Sequence, residues 1–199
     1  MKVFLRLLLG CIVSTYLSGA QAQVEYKFNS LVCLSNVKFL DDCKEISVPA
    51  TLYESGNKNA IVMVTHNSDG IDERHHRYAK HLLDNGISAL VIDHWKARGL
   101  WGAQRNFVEF GKKGANAHNM IIDLNFAALH FRNLGYQKIG YIGESMGGGN
   151  AVLLSKREWA NHFRRVSGQV AVPFDALVGL YGNCNERYSY DNFCPSPLY

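Results

Sequence analysis

One serine of this chain, Ser145, lies between two glycines in the order Gly-x-Ser-x-Gly, at residues 143–147. An apolar run at 139–142 precedes the motif, and a glycine-rich helix start follows it at 148–154. In a strand-turn-helix context this spacing predicts a sharp turn that tolerates little side chain beside the serine and projects its hydroxyl above a sheet. The first N–H groups of the following helix suit a negatively charged tetrahedral intermediate. The motif therefore predicts a nucleophile that attacks acyl bonds; the alternative is a chance pentapeptide on a glycine-rich turn.

The pattern of apolar residues predicts the elements that position this serine. Short, continuously apolar runs are typical of strands that are covered on both faces of a parallel sheet. Besides the run before Ser145, three such runs occur, at residues 61–65, 89–92 and 176–181. Residues 45–53 alternate as a half-exposed edge strand does, and helical patterns lie between the strands at 72–83 and 116–134. We predict one α/β domain over residues 23–199, with a doubly wound, mostly parallel sheet and helices on both faces.

Two polar segments, 65–70 and 93–99, follow strands and are expected near the serine, because functional groups gather at the carboxyl ends of parallel strands. An oxyanion needs two N–H donors. We expect the backbone N–H of Met146 as one donor and that of Asn67 as the other, with Ser68 as the alternative to Asn67. The other interpretation of this loop is a generic turn. Four aromatic residues that follow the second of these strands either line an apolar pocket or belong to the core: Trp95, Trp101, Phe107 and Phe110.

Four segments together resemble the dienelactone hydrolase family of α/β hydrolases: Thr65-His66-x-x-x-Gly70, Asp93-x-x-x-x-Arg98-Gly99, Gly143-x-Ser145-x-Gly147-Gly148 and Tyr181-Gly182-Asn183-Cys184. The resemblance covers the chain from about residue 45 to its end. It implies the α/β-hydrolase fold and hydrolysis of ester or lactone bonds in a small molecule. It also implies a nucleophile with a histidine base and an orienting aspartate, and no metal or organic cofactor.

The chain departs from this family at two positions. Many dienelactone hydrolases carry cysteine where this chain has Ser145, which suggests a general serine esterase or an exported relative. Asn67 replaces the family's glycine after His66, which bears on the geometry of the second oxyanion donor.

The partners of the serine are not evident in the sequence. In this fold the order along the chain is serine, acid, histidine. The only histidine after Ser145 is His162, which precedes the last predicted strand, and no acid occupies the expected place among Glu158, Asp175, Glu186 and Asp191. We therefore expect the acid and the base beyond residue 199, and a truncated hydrolase domain that is inactive or impaired. An upstream histidine, His94, lies at the same rim, but we expect it to pack on Trp95 and assign it no role.

Two alternatives stay open at this point. One is a non-catalytic protein that keeps the sheet and binds a small molecule, since the loss of a triad member lowers the rate by several powers of ten. The other is a fragment that does not fold stably, because a sheet that ends here leaves a strand edge and apolar helix faces uncovered.

The N-terminal segment predicts export. Residues 1–22 combine a basic start, an apolar stretch at 7–17 and an Ala-x-Ala exit that ends at Ala22, which is typical of a signal peptide. The apolar stretch is too short to span a membrane, which needs about 20 residues. We expect a periplasmic or secreted protein; the alternative is lipoprotein processing at Cys11, in Leu8-Leu9-Gly10-Cys11.

Four cysteines follow the predicted leader, and an even number in an exported chain indicates disulfides. Of the three possible pairings we favour Cys33 with Cys43 and Cys184 with Cys194, because each pair encloses a short polar loop.

Net charge and the remaining polar residues bear on two other functions, nucleic-acid binding and metal binding. The chain has 21 basic and 17 acidic residues, and removal of Lys2 and Arg6 leaves a net charge of about +2, with no basic cluster that indicates nucleic acid. A metal site is an alternative interpretation of the histidines near residue 75, with the candidate ligands Asp69, Asp72, His75 and His76; a solvated helix face is the simpler one. The sequence does not predict the oligomeric state.

Overall fold

A computed structural model describes residues 22–34, 43–101 and 107–182 of the protein. Six strands form one sheet: β1 (Ala22–Cys33), β2 (Cys43–Glu54), β3 (Ala60–Thr65), β4 (Ser88–Ile92), β5 (Lys138–Glu144) and β6 (Ala176–Leu180). Their order is β1-β2-β4-β3-β5-β6. The strands β4, β3, β5 and β6 are parallel, whereas β2 runs antiparallel to both β1 and β4. The sheet is therefore mostly parallel, as the apolar runs predicted.

Helices cover both faces of this sheet: α1 (Glu73–Asp84), α2 (Phe107–Lys112), α3 (Ala117–Asn133), α4 (Met146–Leu154) and α5 (Arg157–Ser167). The helix α1 packs one face through Ala79 and Leu83 against Val64 and Val91. On the opposite face, α3 contributes a buried apolar stripe to the main core. The two predicted helices are confirmed, and each begins after a capping residue, Asp72 or Asn116.

One strand assignment was wrong. Residues 45–53 were expected at the edge of the sheet, but β2 pairs on both sides because β1 lies outside it. The inward positions of β1 include the polar Ser30 between the buried Phe28 and Val32, which interrupts the apolar alternation that marks a strand. Ser30 can be buried because its hydroxyl donates to the carboxylate of Asp123 at 2.6 Å.

The predicted disulfide between Cys33 and Cys43 is confirmed, with its sulfurs 2.02 Å apart, and it joins the end of β1 to the start of β2 at the loop end of their hairpin. The side-chain amide of Asn119 in α3 accepts a bond from the Cys33 N–H at 2.9 Å and donates to the Cys33 carbonyl at 3.0 Å. The other predicted pair, Cys184 with Cys194, lies outside the described residues, as do Cys11 and residues 1–21 of the predicted leader. Across the described ranges, no helix is long and apolar enough to cross a membrane.

A charged cluster is buried at the carboxyl end of β4. The guanidinium of Arg98 donates to both carboxylate oxygens of Asp123, at 2.8 and 3.3 Å, and both side chains are excluded from solvent. The ring Nδ1 of His94 lies 2.7 Å from the same carboxylate. Burial on its own raises the pKa of Asp123, but Arg98 and His94 outweigh it and hold that pKa below its ordinary value. The cluster joins β1, β4 and α3 beneath the rim where the polar loops lie.

The Asp123 carboxylate is expected to be essential for stability. Asp123→Asn leaves the buried Arg98 charge without its partner, and we expect a loss of about 3–5 kcal/mol in the free energy of unfolding. Urea denaturation measures this. The matched control is Asp84→Asn, whose ion pair with Lys80 has a similar 3.0 Å distance but is exposed, and which should have little effect. Equal effects of the two substitutions would contradict this account of the cluster.

Candidate active site

Ser145 occupies a strained single-residue turn between β5 and α4. Its backbone has φ 52° and ψ −106°, in the left-handed half of conformational space that residues with a Cβ rarely adopt. Two main-chain bonds hold it there: the Ser145 N–H donates to the Leu180 carbonyl at 2.7 Å, and its own carbonyl accepts from Gly149 at 2.9 Å. The hydroxyl makes no capping bond to α4, and the residue is partly exposed. The hydroxyl is thus presented at the carboxyl edge of the sheet.

The two flanking glycines are sterically required, as the motif predicted. A Cβ on Gly143 would stand 2.2 Å from the Gly147 carbonyl oxygen and 2.3 Å from the Tyr141 hydroxyl. A Cβ on Gly147 would stand 2.7 Å from the Thr65 hydroxyl and 2.8 Å from the His66 carbonyl oxygen. Each position therefore brings two main-chain segments into direct contact, and residues 143–147 form a nucleophile elbow in the geometric sense.

A buried tyrosine supports the elbow from below. The Tyr141 hydroxyl donates to the Gly147 carbonyl at 2.6 Å, so it must accept at 2.6 Å from the hydroxyl of Thr65 at the end of β3. Burial raises the pKa of Tyr141 above its ordinary value, which keeps the phenol protonated and able to donate. These bonds tie β3, β5 and the start of α4 together.

The loop after β3, residues 66–70, is held by the buried ring of His66. The ring Nε2 accepts the His94 backbone N–H at 3.2 Å, so the proton is on Nδ1, which donates to the Asn67 carbonyl at 2.7 Å. Burial lowers the pKa of His66 to about 3, and the neighbouring His94 is the second largest cause. His66 is therefore neutral, with a single tautomer fixed by its two partners.

These bonds determine the direction in which the peptide groups of the loop point. The His66 carbonyl oxygen faces the Cα of Gly147, and because the carbonyl and N–H of a trans peptide point in opposite directions, the N–H of Asn67 points away from it. In the next peptide the Asn67 carbonyl is turned toward the His66 ring, so the N–H of Ser68 points away from that ring. The Asn67 side chain accepts the Asp69 N–H at 2.7 Å and closes the turn.

Glu144, immediately before the serine, connects the elbow to α1. Its buried carboxylate accepts from the Arg74 guanidinium at 2.8 Å and lies 3.3 Å from the Nε2 of His75. The Nδ1 of His75 accepts the Asp72 backbone N–H at 3.0 Å, as part of the capping box of α1. Asp72 and His75, two of the four residues considered as metal ligands, thus cap a helix. Within the described ranges no group of three or more residues could hold a metal ion.

Neither of the histidines considered as a base is hydrogen-bonded to Ser145. His94 is fully buried; its Nδ1 faces Asp123, and its Nε2 has no partner among the described residues. His162 is a residue of α5, with its ring centroid 5.6 Å from that of Trp159 in the same helix and 6.0 Å from that of His118 in α3. Burial lowers the pKa of His162 to about 4, so it is neutral at pH 7.

The aromatic residues after β4 divide between core and surface. Trp95 and Phe110 are buried in a cluster with Leu100, Ala115 and Met120, and the side chain of Met146 packs against this cluster. Trp101 is 66% exposed and does not belong to it. The side chain of Phe107 lies outside the described part of the chain.

No protein-family model matches the sequence, and no curated protein matches it. Among solved structures the chain is similar to a Klebsiella pneumoniae protein assigned as a dienelactone hydrolase, with 16% identity and a TM-score of 0.51 over 79% of this chain and 60% of that one. It is also similar to a cold-adapted esterase from an Arctic intertidal metagenomic library, with 21% identity and a TM-score of 0.48 over 71% of this chain and 61% of that one. An esterase from Pyrococcus furiosus has 18% identity and a TM-score of 0.45, over 69% of this chain and 49% of that one.

The first of these likenesses shows the fold. The chain has the α/β-hydrolase fold expected from its sequence, and it spans 60% of the length of that solved structure. Dienelactone hydrolases share this fold.

Acid should destabilise the folded protein through its neutral histidines. A histidine of an unfolded chain titrates near pH 6.5, whereas the pKa is about 3 for His66 and about 4 for His162 in the fold. Between pH 6.5 and 4.5 the unfolded state therefore binds more protons, and the free energy of unfolding falls as the pH is lowered, by up to about 1.4 kcal/mol per pH unit for each histidine. Above pH 6.5 this contribution is constant. Urea titrations from pH 8 to 4.5 measure it, and His162→Gln should give a shallower dependence; an unchanged slope would contradict the assignment.

The close approach at the elbow should make Gly143 intolerant of a methyl group. Gly143→Ala places a Cβ against the main chain of Gly147, and we expect a loss of about 3 kcal/mol in the free energy of unfolding, the upper end of overpacking costs. The control is Gly111→Ala in α2, where nothing lies within 4 Å of the added Cβ and alanine favours the helix. Thermal or urea unfolding compares the two variants, and a fully stable Gly143→Ala protein would refute the contact.

Proposed function

We propose that this chain is a serine hydrolase that acts on carboxylic ester or lactone bonds, with Ser145 as the nucleophile. The observation that carries the proposal is the positive φ of Ser145 in a turn that two obligatory glycines and the bond to Leu180 maintain. Such strain persists only where the surrounding structure enforces it, and it concentrates at functional sites. A relaxed turn would not project the hydroxyl of this residue.

The first oxyanion donor is the backbone N–H of Met146. Met146 is the first residue of α4, and the first N–H groups of a helix have no acceptor within the helix. The nine residues of α4 add the positive end of their dipole at this point. An oxygen that becomes negative on the carbonyl attacked by Ser145 thus meets a donor whose position the elbow fixes before reaction.

The second donor is the N–H of Ser68, in place of the N–H of Asn67 that the sequence favoured. The Asn67 N–H points away from the elbow, because the carbonyl of the same peptide faces Gly147. The Ser68 N–H belongs to the following peptide. The carbonyl of that peptide, from Asn67, accepts from the His66 Nδ1 at 2.7 Å and so points toward the ring. The orientation of both peptides therefore supports Ser68.

The reaction then follows the course of acyl transfer. The Ser145 oxygen attacks the carbonyl carbon as its proton passes to a base, and the oxyanion is held by the N–H groups of Met146 and Ser68. Collapse of the intermediate expels the alcohol with that proton, and water hydrolyses the acyl-serine to release the acid. The resemblance implies a histidine base with an aspartate, and we assign that role to neither His94 nor His162.

The setting that we propose is an exported protein with small-molecule ester or lactone substrates. The disulfide between Cys33 and Cys43 supports export, because such bonds persist in oxidising compartments. The similar structure assigned as a dienelactone hydrolase supports ester or lactone substrates only as a class.

Removal of the Ser145 hydroxyl should abolish covalent reaction. In the longest form of the gene product, we expect a fluorophosphonate probe to label the wild-type protein and Ser145→Ala to lose both labelling and aryl-ester turnover, because the nucleophile is absent. The control is Ser155→Ala, which removes an exposed hydroxyl that caps the other end of α4 and should keep both signals. Labelling that persists in Ser145→Ala would contradict the proposal. Reversible ester binding without any turnover would favour the non-catalytic alternative.

A further inference from the structure

We infer that Trp95 is a positioning residue that sets the spacing between the two oxyanion donors, an inference that rests on the proposed function. Trp95 follows β4 and is 1% exposed. Its indole Nε1–H donates to the carbonyl of Ser68 at 3.0 Å. The indole thus binds the carbonyl of Ser68, the residue whose N–H we assign as a donor.

The loop is clamped on both sides of the Ser68 N–H. The Asn67 carbonyl, which belongs to the same peptide group as this N–H, is bound by the His66 ring, and the Ser68 carbonyl, in the next peptide group, is bound by Trp95. The rings of His66 and Trp95 also contact each other, with centroids 4.8 Å apart at 64°. Two successive carbonyls are therefore fixed by two side chains that support each other, which leaves the N–H between them little freedom to rotate.

The same indole belongs to the apolar cluster beneath the other donor. Its ring lies 5.2 Å from that of Phe110, and the side chain of Met146 packs against the cluster that contains both. A further member, Met120, contacts α4, where the Asn150 amide lies 3.7 Å from its sulfur. Trp95 thus holds the 66–70 loop and belongs to the buried cluster against which the first residue of α4 packs.

This connection acts mainly on the transition state. An oxyanion is stabilised when both donors lie about 2.7–3.1 Å from the position that the charged oxygen will occupy. A small displacement of Ser68 weakens that interaction more than it weakens binding of the neutral ester, so kcat falls with little change in KM. Because loss of a whole donor costs about 100- to 1000-fold, loss of its support should cost about 10- to 100-fold.

The test replaces the indole and keeps an aromatic ring. In Trp95→Phe we expect kcat for an aryl ester to fall about 10- to 100-fold with KM within about twofold. We also expect faster amide hydrogen exchange confined to residues 67–70. The matched control is Trp159→Phe, whose buried Nε1 has no partner among the described residues and which should leave kcat and that exchange unchanged.

Each outcome either supports the role of Trp95 or overturns it. Unchanged exchange at 67–70, or an unchanged kcat in an active protein, would overturn the inference and leave Trp95 a core residue only. Turnover at the wild-type rate in Ser145→Ala would overturn the proposed function instead. Faster amide exchange in Trp95→Phe would still show that the indole restrains the loop. If Trp95→Phe does not fold, benzothienylalanine incorporated at Trp95 in a Trp101→Phe, Trp159→Phe background keeps the ring shape without the N–H. It should give the same fall in kcat and the same faster exchange.

Discussion

The Cα of Gly143 and the carbonyl oxygen of Gly147 approach so closely that no side chain fits between them. The contacts continue along α4: a Cβ on Gly148 would stand 2.7 Å from the Leu180 carbonyl oxygen, and one on Gly179 would stand 2.7 Å from that of Gly148. The helix therefore lies directly on the backbones of β5 and β6. Because strand and helix are this close, one residue must make the whole turn, and Ser145 adopts a positive φ as a consequence.

Buried polar groups support the rim around this turn, and their charges nearly cancel. Arg98 and Asp123 cancel each other's charge, and His66 stays uncharged because its pKa is lowered to about 3. Hydrogen bonds between such groups have fixed directions, so they specify the orientation of loop peptides more narrowly than apolar packing does. A site that must accept a transient anion can then rely on oriented N–H dipoles, without a permanent cation that would also bind the substrate's ground state.

The sequence predicted the elements that depend on local pattern, and it failed where the answer depends on a distant partner. The apolar runs of β3, β4, β5 and β6 and the helix after Asn116 need no tertiary information. By contrast, Ser30 is an inward residue of β1 only because Asp123 lies opposite it. A signal of that pairing was present, since Asp123 falls on the apolar stripe of the predicted helix, three residues after Met120 and four before Ala127. A charged residue on a buried stripe indicates a buried partner.

The choice between Asn67 and Ser68 shows the same limit at the site. Both residues have a backbone N–H, and the sequence offers no reason for either peptide to turn one way. The orientation is set by His66, whose tautomer depends in turn on the His94 backbone in the segment after β4. Spacing along the chain therefore placed the loop at this edge of the sheet, but the orientation of its peptides depends on a ring that links the segments after β3 and β4.

The strain at Ser145 also bears on the choice between hydrolase and binding protein. A non-glycine residue in such a conformation costs about 1–3 kcal/mol, and the four glycines of the surrounding contacts reduce the side-chain packing that this region can contribute. A protein that only binds a small molecule needs a pocket, and a relaxed turn would line one equally well. An outward hydroxyl beside the first N–H of a helix is useful when a carbonyl is attacked at that point. The conformation of this one residue therefore favours catalysis over binding more directly than the fold does, since the same sheet can serve either function.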